Sequence, residues 1–114
     1  MSADDEAGLG TSGRAGRVSA VMATHQGARY VGEQVASMLA QTRALDELVV
    51  TDDASQDGTL AIVERLVGQH RAAGRQVPVL VVLRHVPALG VGQNFQAGLQ
   101  ASTGDVVLLS DQDD

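Results

Sequence analysis

Cysteine is absent from this chain of 114 residues, which excludes disulfide bonds and thiolate metal sites. Aromatic residues are almost absent, with one Tyr and one Phe, so any core is built from Val, Leu, Ala and Ile, the residues that fill buried parallel sheets. Basic residues are few: 8 Lys and Arg against 14 Asp and Glu give a net charge of -6, which argues against a nucleic-acid partner. No apolar run reaches about 18 residues, so the sequence predicts no membrane span and no secretory leader.

Two parts of the chain differ in composition. Residues 1–17 have almost nothing to bury, and we expect a disordered tail there. In residues 18–114, short apolar runs at 18–23, 48–51, 77–83 and 106–109 alternate with stretches of helical periodicity. The helical stripes contain Tyr30, Val31, Val35, Met38 and Leu39, then Leu60, Val63, Leu66 and Val67, then Val91, Phe95 and Leu99. The sequence therefore predicts an α/β fold with a parallel β-sheet, in the order β-α-β-α-β-α-β.

Polar clusters follow three of the four predicted strands. They cover residues 24–27, 52–58 and 111–114. Sheets of this kind bind ligands beyond the carboxyl ends of their strands, so the topology brings the clusters together at one edge. This convergence is the main functional indication that the residues give by themselves.

The last cluster places three carboxylates, Asp111, Asp113 and Asp114, within four residues. Their mutual repulsion is unfavourable unless a cation or solvent relieves it. Mg²⁺ or Mn²⁺ prefers hard oxygen ligands and commonly takes one or two carboxylates together with phosphate oxygens. The alternative is a solvated acidic turn, and the spacing alone leaves both open.

The middle cluster begins with Asp52 and Asp53, whose carboxylates could accept hydrogen bonds from a base or a ribose. The structural alternative is that Asp53 and Ser55 form local turns and that Asp57 caps the next helix. The run from Asp53, continued to Glu64, also nearly fits a calcium-binding loop. That loop needs an entering helix, whereas the preceding residues are typical of a strand.

The histidines His25, His70 and His85 have no ligand-like spacing, and we expect them at the surface or in loops. The pair Gly90 and Gly92 lacks the third glycine of a dinucleotide fingerprint and follows the third strand instead of the first. It predicts only a loop that enters a helix.

Four motifs, in matching order and spacing, resemble glycosyltransferases of family 2, especially the rhamnosyltransferase-like branch. Residues 18–27 are similar to the family's opening V-S-V-V-x-x-T-Y-N-G, with His25 and Gln26 replacing Tyr and Asn. Residues 52–59 are similar to D-D-G-S-T-D-G-T, with Ala54 in place of Gly. Residues 88–95 are similar to N-x-G-x-x-x-N-F, with Ala88 in place of the first Asn, and residues 109–114 to L-S-D-Q-D-D, a form of the D-x-D motif.

This resemblance implies a GT-A fold whose N-terminal, Rossmann-like half binds a nucleoside-diphosphate sugar. The donor-binding residues that it implies are Thr24, Gln26, Asp52, Asp53, Asn94 and Asp111. The metal ligands that it implies are Asp111 and Asp113, holding Mg²⁺ or Mn²⁺.

The resemblance further implies an inverting transferase of cell-surface polysaccharide synthesis, with a UDP- or dTDP-linked donor and a saccharide or lipid-linked acceptor. Its general base and acceptor site are expected in a C-terminal half absent from residues 18–114, so the chain alone is expected to be inactive. The expected location is the cytoplasm, at the inner face of the membrane for a longer protein. Two alternatives stay open: a receiver-type signalling domain with an acidic pocket, and a non-catalytic nucleotide-binding module.

Overall fold

The computed structural model describes residues 16–40 and 45–111, and for residues 106–111 it describes the backbone. In those ranges, strands and helices alternate in the order that the sequence predicts. The elements are β1 (Val18–Thr24), α1 (Ala28–Leu39), β2 (Glu47–Asp53), α2 (Thr59–Ala72), β3 (Val79–His85), α3 (Val91–Ala101) and β4 (Asp105–Asp111). Among the described residues, no helix is long and apolar enough to cross a membrane. Of the predicted tail, residues 1–15 lie outside the described ranges.

The strands form one parallel sheet in the order β3-β2-β1-β4. The chain steps from β1 outward to β3, then returns to add β4 on the other side of β1, so the strand order reverses beside β1. Doubly wound sheets of this order bind ligands at that switch point. Receiver domains have the order 2-1-3-4-5, in which the first strand lies between the second and the third. The observed order therefore excludes the receiver alternative.

The face of the sheet that α1 and α2 cover contains the apolar core. Side chains alternate between the faces of a strand, so every second residue of β1 and β2 joins this core. Its buried members are Ala20, Met22, Val31, Val35, Met38, Leu45, Leu48, Val50, Val63 and Val67. The predicted stripe of α1 is wrong at one position, because Tyr30 is 41% exposed and its ring lies beneath the guanidinium of Arg29, at 5.5 Å.

The opposite face is covered by α3, and there the predicted apolar stripe is wrong at two of its three positions, since only Phe95 is half-buried. Val91 is 83% exposed and Leu99 36%, whereas the buried residues of α3 are Asn94 and Gly98. A Cβ atom at Gly98 would lie 2.7 Å from a methyl of Val21 and 2.8 Å from a methyl of Thr51. The missing side chain therefore lets α3 approach the sheet closely. Apolar periodicity cannot reveal a face made of Gly and Asn.

The strand boundaries also differ from the prediction by one to two residues, most informatively in β2 and β3. β2 continues through Asp52, which pairs with both neighbouring strands, and Asp53, which pairs with β3, although the sequence predicted that they begin a loop. β3 begins at Val79 instead of residue 77, so Pro78 precedes the strand. The backbone N–H of Val79 donates to the carbonyl of Asp46 at 3.0 Å, a bond that proline could not make.

The amino-terminal edge of the sheet is fastened by a buried carboxylate. Glu47 Oε1 accepts hydrogen bonds from the Ser19 hydroxyl and the Thr103 backbone N–H, both at 2.8 Å. Burial raises the pKa of Glu47, but the hydrogen bonds from Thr103 and Ser19 and the charge of Arg17 together hold that pKa below its ordinary value. The segment after α3 is thereby tied to β1 and β2.

Candidate functional site

The carboxyl ends of β2, β1 and β4 lie side by side at one edge of the sheet. Thr24 of β1 pairs with Asp52 of β2, and Ala23 of β1 pairs with Asp111 of β4. Three predicted site positions, Thr24, Asp52 and Asp111, are therefore on adjacent strands at the switch point. The predicted metal ligand Asp113 lies outside the described residues, and Asp111 is described by its backbone alone.

A buried hydrogen-bond network joins Thr24 to Asp52. The Thr24 hydroxyl donates to Asp52 Oδ1 at 2.5 Å, and the Ser55 hydroxyl donates to the same oxygen at 2.6 Å. Asp52 Oδ2 accepts from the backbone N–H of Ser55 at 2.9 Å, so the local turn starts at Asp52, not at Asp53 as the structural alternative expected. Thr24 and Asp52 are both fully buried, and their network fixes the floor of the site.

The loop after β1 is joined to the loop after β2 through Gln26. Its backbone N–H donates to Ser55 Oγ at 2.7 Å, and its side-chain Oε1 accepts from the backbone N–H of Gln56 at 2.8 Å. Gln26 and Ala54 both adopt left-handed backbone conformations, with φ of 50° and 57°. These are two positions at which the chain departs from the Asn and Gly of the motifs it resembles. A longer amide and a methyl group therefore occupy backbone positions that Asn and Gly adopt more readily.

Asp57 connects the first turns of two helices. Its Oδ2 accepts from the backbone N–H of Ala28, the first residue of α1, at 3.1 Å. Its Oδ1 accepts from the backbone N–H of Thr59, the first residue of α2, at 3.2 Å, and from the Thr59 hydroxyl. The predicted helix cap is thus displaced by one residue, because the N-cap position is Gly58 in a left-handed conformation. Burial raises the pKa of Asp57, but the bonds from Thr59 and Ala28 outweigh it and hold that pKa below its ordinary value.

The Asp53 side chain lies on the face of the sheet that α3 covers, opposite to that of Asp52. Its two carboxylate oxygens accept from the backbone N–H groups of Leu89 and Gly90, at 2.7 and 2.8 Å. Those residues immediately precede α3. The adjacent carboxylates Asp52 and Asp53 therefore do not act as one pair; Asp52 organises the loops of α1 and α2, whereas Asp53 organises the entry to α3.

Asn94 anchors α3 to the middle of the sheet. The Thr51 hydroxyl lies 2.8 Å from Asn94 Oδ1, 3.1 Å from the Asn94 carbonyl and 2.8 Å from His85 Nε2. A hydroxyl has one proton to donate, and when Thr51 donates it to Asn94, the contact with His85 requires the tautomer that carries its hydrogen on Nε2. Asn94 Nδ2 also donates to the carbonyl of Thr24 at 3.4 Å, which links α3 to the floor of the site.

Sequence reasoning missed the contributions of Thr59, Thr51 and His85. Ser55 was predicted only as part of a local turn, and its hydroxyl bond to Asp52 was not expected. His85, expected at the surface or in a loop, is half-buried at the end of β3. Its partner Thr51 lies 34 residues away in the sequence, and no local pattern indicates such a contact.

Comparison with known proteins agrees with this fold and gives its family. The family model described as glycosyl transferase family 2 matches residues 19–114. An uncharacterized glycosyltransferase of Nostoc sp. is 33% identical over 98 residues, which cover 86% of this chain and 28% of that protein. The crystal structure of mannosyl-3-phosphoglycerate synthase from Rubrobacter xylanophilus shares the fold, with a TM-score of 0.56 at 24% identity over 85% of this chain and 30% of that one.

The chain therefore spans less than a third of the length of either protein. The match nevertheless includes all four motifs and nearly all of the sheet. The chain belongs to glycosyl transferase family 2.

Proposed function

We propose that this chain binds a nucleoside-diphosphate sugar, UDP- or dTDP-linked, as the donor for sugar transfer. The observation that carries the proposal is the strand order, because it brings the ends of β2, β1 and β4 together at the edge where such sheets bind ligands. Family membership supports sugar transfer as the chemistry. The rhamnosyltransferase-like motifs make nucleotide-activated rhamnose the first donor to examine.

The donor pocket in this proposal has a buried floor and an exposed rim. Thr24, Asp52, Asp53 and Asn94 are each at most 5% exposed and form the floor. Gln26 is exposed and forms the rim beside the first turn of α1. Asp52 Oδ2 accepts one hydrogen bond from within the chain, and because Asp52 is fully buried, a base or a ribose would reach its remaining lone pair only after the surrounding loops move.

A divalent cation completes the proposed site. Asp111 and Asp113 would hold Mg²⁺ or Mn²⁺, and carboxylate oxygens are the ligands that these hard cations prefer. The backbone position of Asp111 supports this assignment, because Asp111 at the end of β4 pairs with Ala23 of β1 at the switch point. When bound, such an ion neutralises diphosphate charge and stabilises the leaving group as a Lewis acid.

The acceptor in this proposal is a saccharide or a lipid-linked sugar of a cell-surface polysaccharide, and transfer inverts the anomeric centre. Inversion needs a general base within hydrogen-bond reach of the acceptor hydroxyl. Asp52, Asp53 and Asp57 accept hydrogen bonds from the chain's own N–H and O–H groups on both carboxylate oxygens. We therefore place the base outside these three residues, and we expect this chain by itself to bind donor without glycosylating an acceptor.

Titration calorimetry tests the proposal. UDP and dTDP are titrated into the purified chain in manganese and, separately, in EDTA. We expect binding to be about tenfold tighter in manganese, because the cation is the largest charge available to the diphosphate. The Asp113→Ala variant should lose most of that difference.

The matched control is Asp105→Ala, which removes one carboxylate at the opposite edge of the sheet, at the start of β4. This variant should keep the full manganese effect. If the unmodified chain binds the nucleotides equally tightly in manganese and in EDTA, the proposed role of the metal is wrong. If neither nucleotide binds under any condition, the proposed donor site is wrong.

A further inference from the structure

Three helices, α1, α2 and α3, begin at the edge of the sheet where the donor is proposed to bind. A helix N-terminus presents backbone N–H groups and the positive end of the helix dipole, so it commonly binds phosphate. Dinucleotide-binding sheets place their diphosphate there. The contacts in this chain show whether the three N-termini are open to such a ligand.

A carboxylate of the chain already occupies the starts of α1 and α2. Asp57 accepts from the first backbone N–H of each helix, those of Ala28 and Thr59. The Thr59 hydroxyl also accepts from the backbone N–H of Gly27, at 2.9 Å. A phosphate at either helix start would have to displace Asp57 from these groups or lie next to its negative charge.

A second carboxylate holds the segment just before α3. Asp53 accepts from the backbone N–H groups of Leu89 and Gly90, the two residues before the helix, so its negative charge lies beside the start of α3. These contacts use both oxygens of a side chain that is 5% exposed. Two aspartate carboxylates therefore lie at, or just before, the starts of the three helices.

The Asp57 side chain is negatively charged at neutral pH. Burial alone would raise its pKa, but the hydrogen bonds from Thr59 and Ala28 lower it further than burial raises it. The carboxylate therefore stays ionised at neutral pH, where it neutralises the two helix dipoles and repels another anion.

We infer that Asp57 and Asp53 are specificity-determining residues that keep phosphate groups off the N-termini of α1, α2 and α3. This inference rests on the proposed function, in which the diphosphate belongs to the donor. With these N–H groups already bound to carboxylates, the chain's own backbone offers the diphosphate less compensation for its charge. Tight binding is then restricted to a donor that arrives with a divalent cation.

The test uses inorganic pyrophosphate in EDTA, so that neither a base nor a metal contributes. Asp57→Asn keeps the shape and one acceptor oxygen, removes the charge and releases one backbone N–H. We expect this variant to bind pyrophosphate about fivefold more tightly than the unmodified chain. Asp53→Asn should show a gain of the same kind at α3, and it tests the inference independently if Asp57→Asn does not fold.

Asp105→Asn is the control, since it makes the same change of charge at the opposite edge of the sheet, where Asp105 is exposed. Thermal unfolding of each variant confirms that it is folded before titration. Gains in the Asp57 and Asp53 variants, without one in the Asp105 variant, support the inference. No gain in either variant, or an equal gain in the Asp105 variant, overturns it. Because pyrophosphate is titrated without metal, these outcomes are separate from the manganese and nucleotide titrations that test the donor site.

Discussion

The two faces of the sheet are built from different chemistry. The face under α1 and α2 is an apolar core, whereas the face under α3 is fastened mainly by polar side chains. Along β2, the alternate residues Glu47, Val49, Thr51 and Asp53 lie on the α3 side, and all but Val49 are polar. Glu47 bonds to Thr103 after the helix, Thr51 to Asn94 within it and Asp53 to Leu89 and Gly90 before it.

The apolar face and the polar face of the sheet contribute differently, the first to stability and the second to the position of α3. Burial of apolar area is non-directional, so the α1–α2 face supplies stability without fixing individual groups accurately. Hydrogen bonds to buried carboxylates are directional and costly to leave unmade, so the α3 face fixes where the helix and its flanking loops lie. The polar face is the one that sets the geometry of the ligand edge on the side of α3.

The largest effect is expected when a side chain is added beneath α3. Gly98→Ala should lower the free energy of unfolding by about 2 kcal/mol, because its Cβ would overlap Val21 and Thr51. Gly68→Ala in α2 is the matched control, since no atom outside the helix lies within 4 Å of its Cβ position. That variant should stabilise the chain by about 0.5–1 kcal/mol through helix propensity. Urea denaturation measures both.

A second substitution sharpens this prediction. Adding Val21→Ala to Gly98→Ala removes the methyl group nearest to the new Cβ. The pair should be less destabilised than the sum of the single variants. A destabilisation of equal size for Gly98→Ala and Gly68→Ala would show that α3 does not depend on close approach.

A smaller effect is expected from the polar anchor in the middle of the sheet. Thr51→Val keeps the shape but leaves the buried Asn94 without its hydroxyl donor, and it should cost about 1–1.5 kcal/mol. Asn94→Leu should also destabilise the chain. The double variant removes both the Thr51 hydroxyl and the Asn94 side-chain amide, so neither is left without the other and the combined cost should fall below the sum. Strict additivity in the double-mutant cycle would contradict the assigned contact.

The smallest effect concerns pH and the anchor at Glu47. Its pKa is lower in the folded chain than in the unfolded one, so the stability that it contributes is present above the unfolded pKa, about 4.3. That stability is lost as the pH falls through the folded pKa. Hydrogen exchange between neutral and acidic pH should therefore show α3 losing protection before α1. In the Glu47→Gln variant, the difference in hydrogen-exchange protection between α3 and α1 should change less with pH. If that difference depends on pH as strongly as in the unmodified chain, a group other than Glu47 causes it.

The order of elements and the position of the acidic clusters could be predicted from the sequence. Apolar runs, and the polar residues that follow them, are local features of the sequence. The floor of the site could not be predicted in detail. Asp52 and Asp53 are adjacent, and only the alternation of a formed strand shows that they serve opposite faces. The capping of two helices by Asp57 depends on a contact across 29 residues, which periodicity does not encode.

The third helix shows where pattern reasoning fails. Of its predicted apolar residues, Val91 and Leu99 are exposed and Phe95 is half-buried, and the buried positions are a glycine and an asparagine. A hydrophobic stripe is a reliable signal only where burial is apolar. On the polar face of this sheet, close approach and hydrogen bonding decide which side of the helix is buried.

The central claim is that the donor and its cation bind where β2, β1 and β4 end together. Paramagnetic broadening by Mn²⁺ in the presence of UDP measures this directly, with Mg²⁺ as the diamagnetic reference. The account predicts that the backbone amide signals of Thr24 and Asp52 broaden strongly, while those of Val18, Glu47 and Asp105 at the opposite edge keep their intensity. Strong broadening at Val18 and Glu47, with Thr24 and Asp52 unaffected, would contradict it.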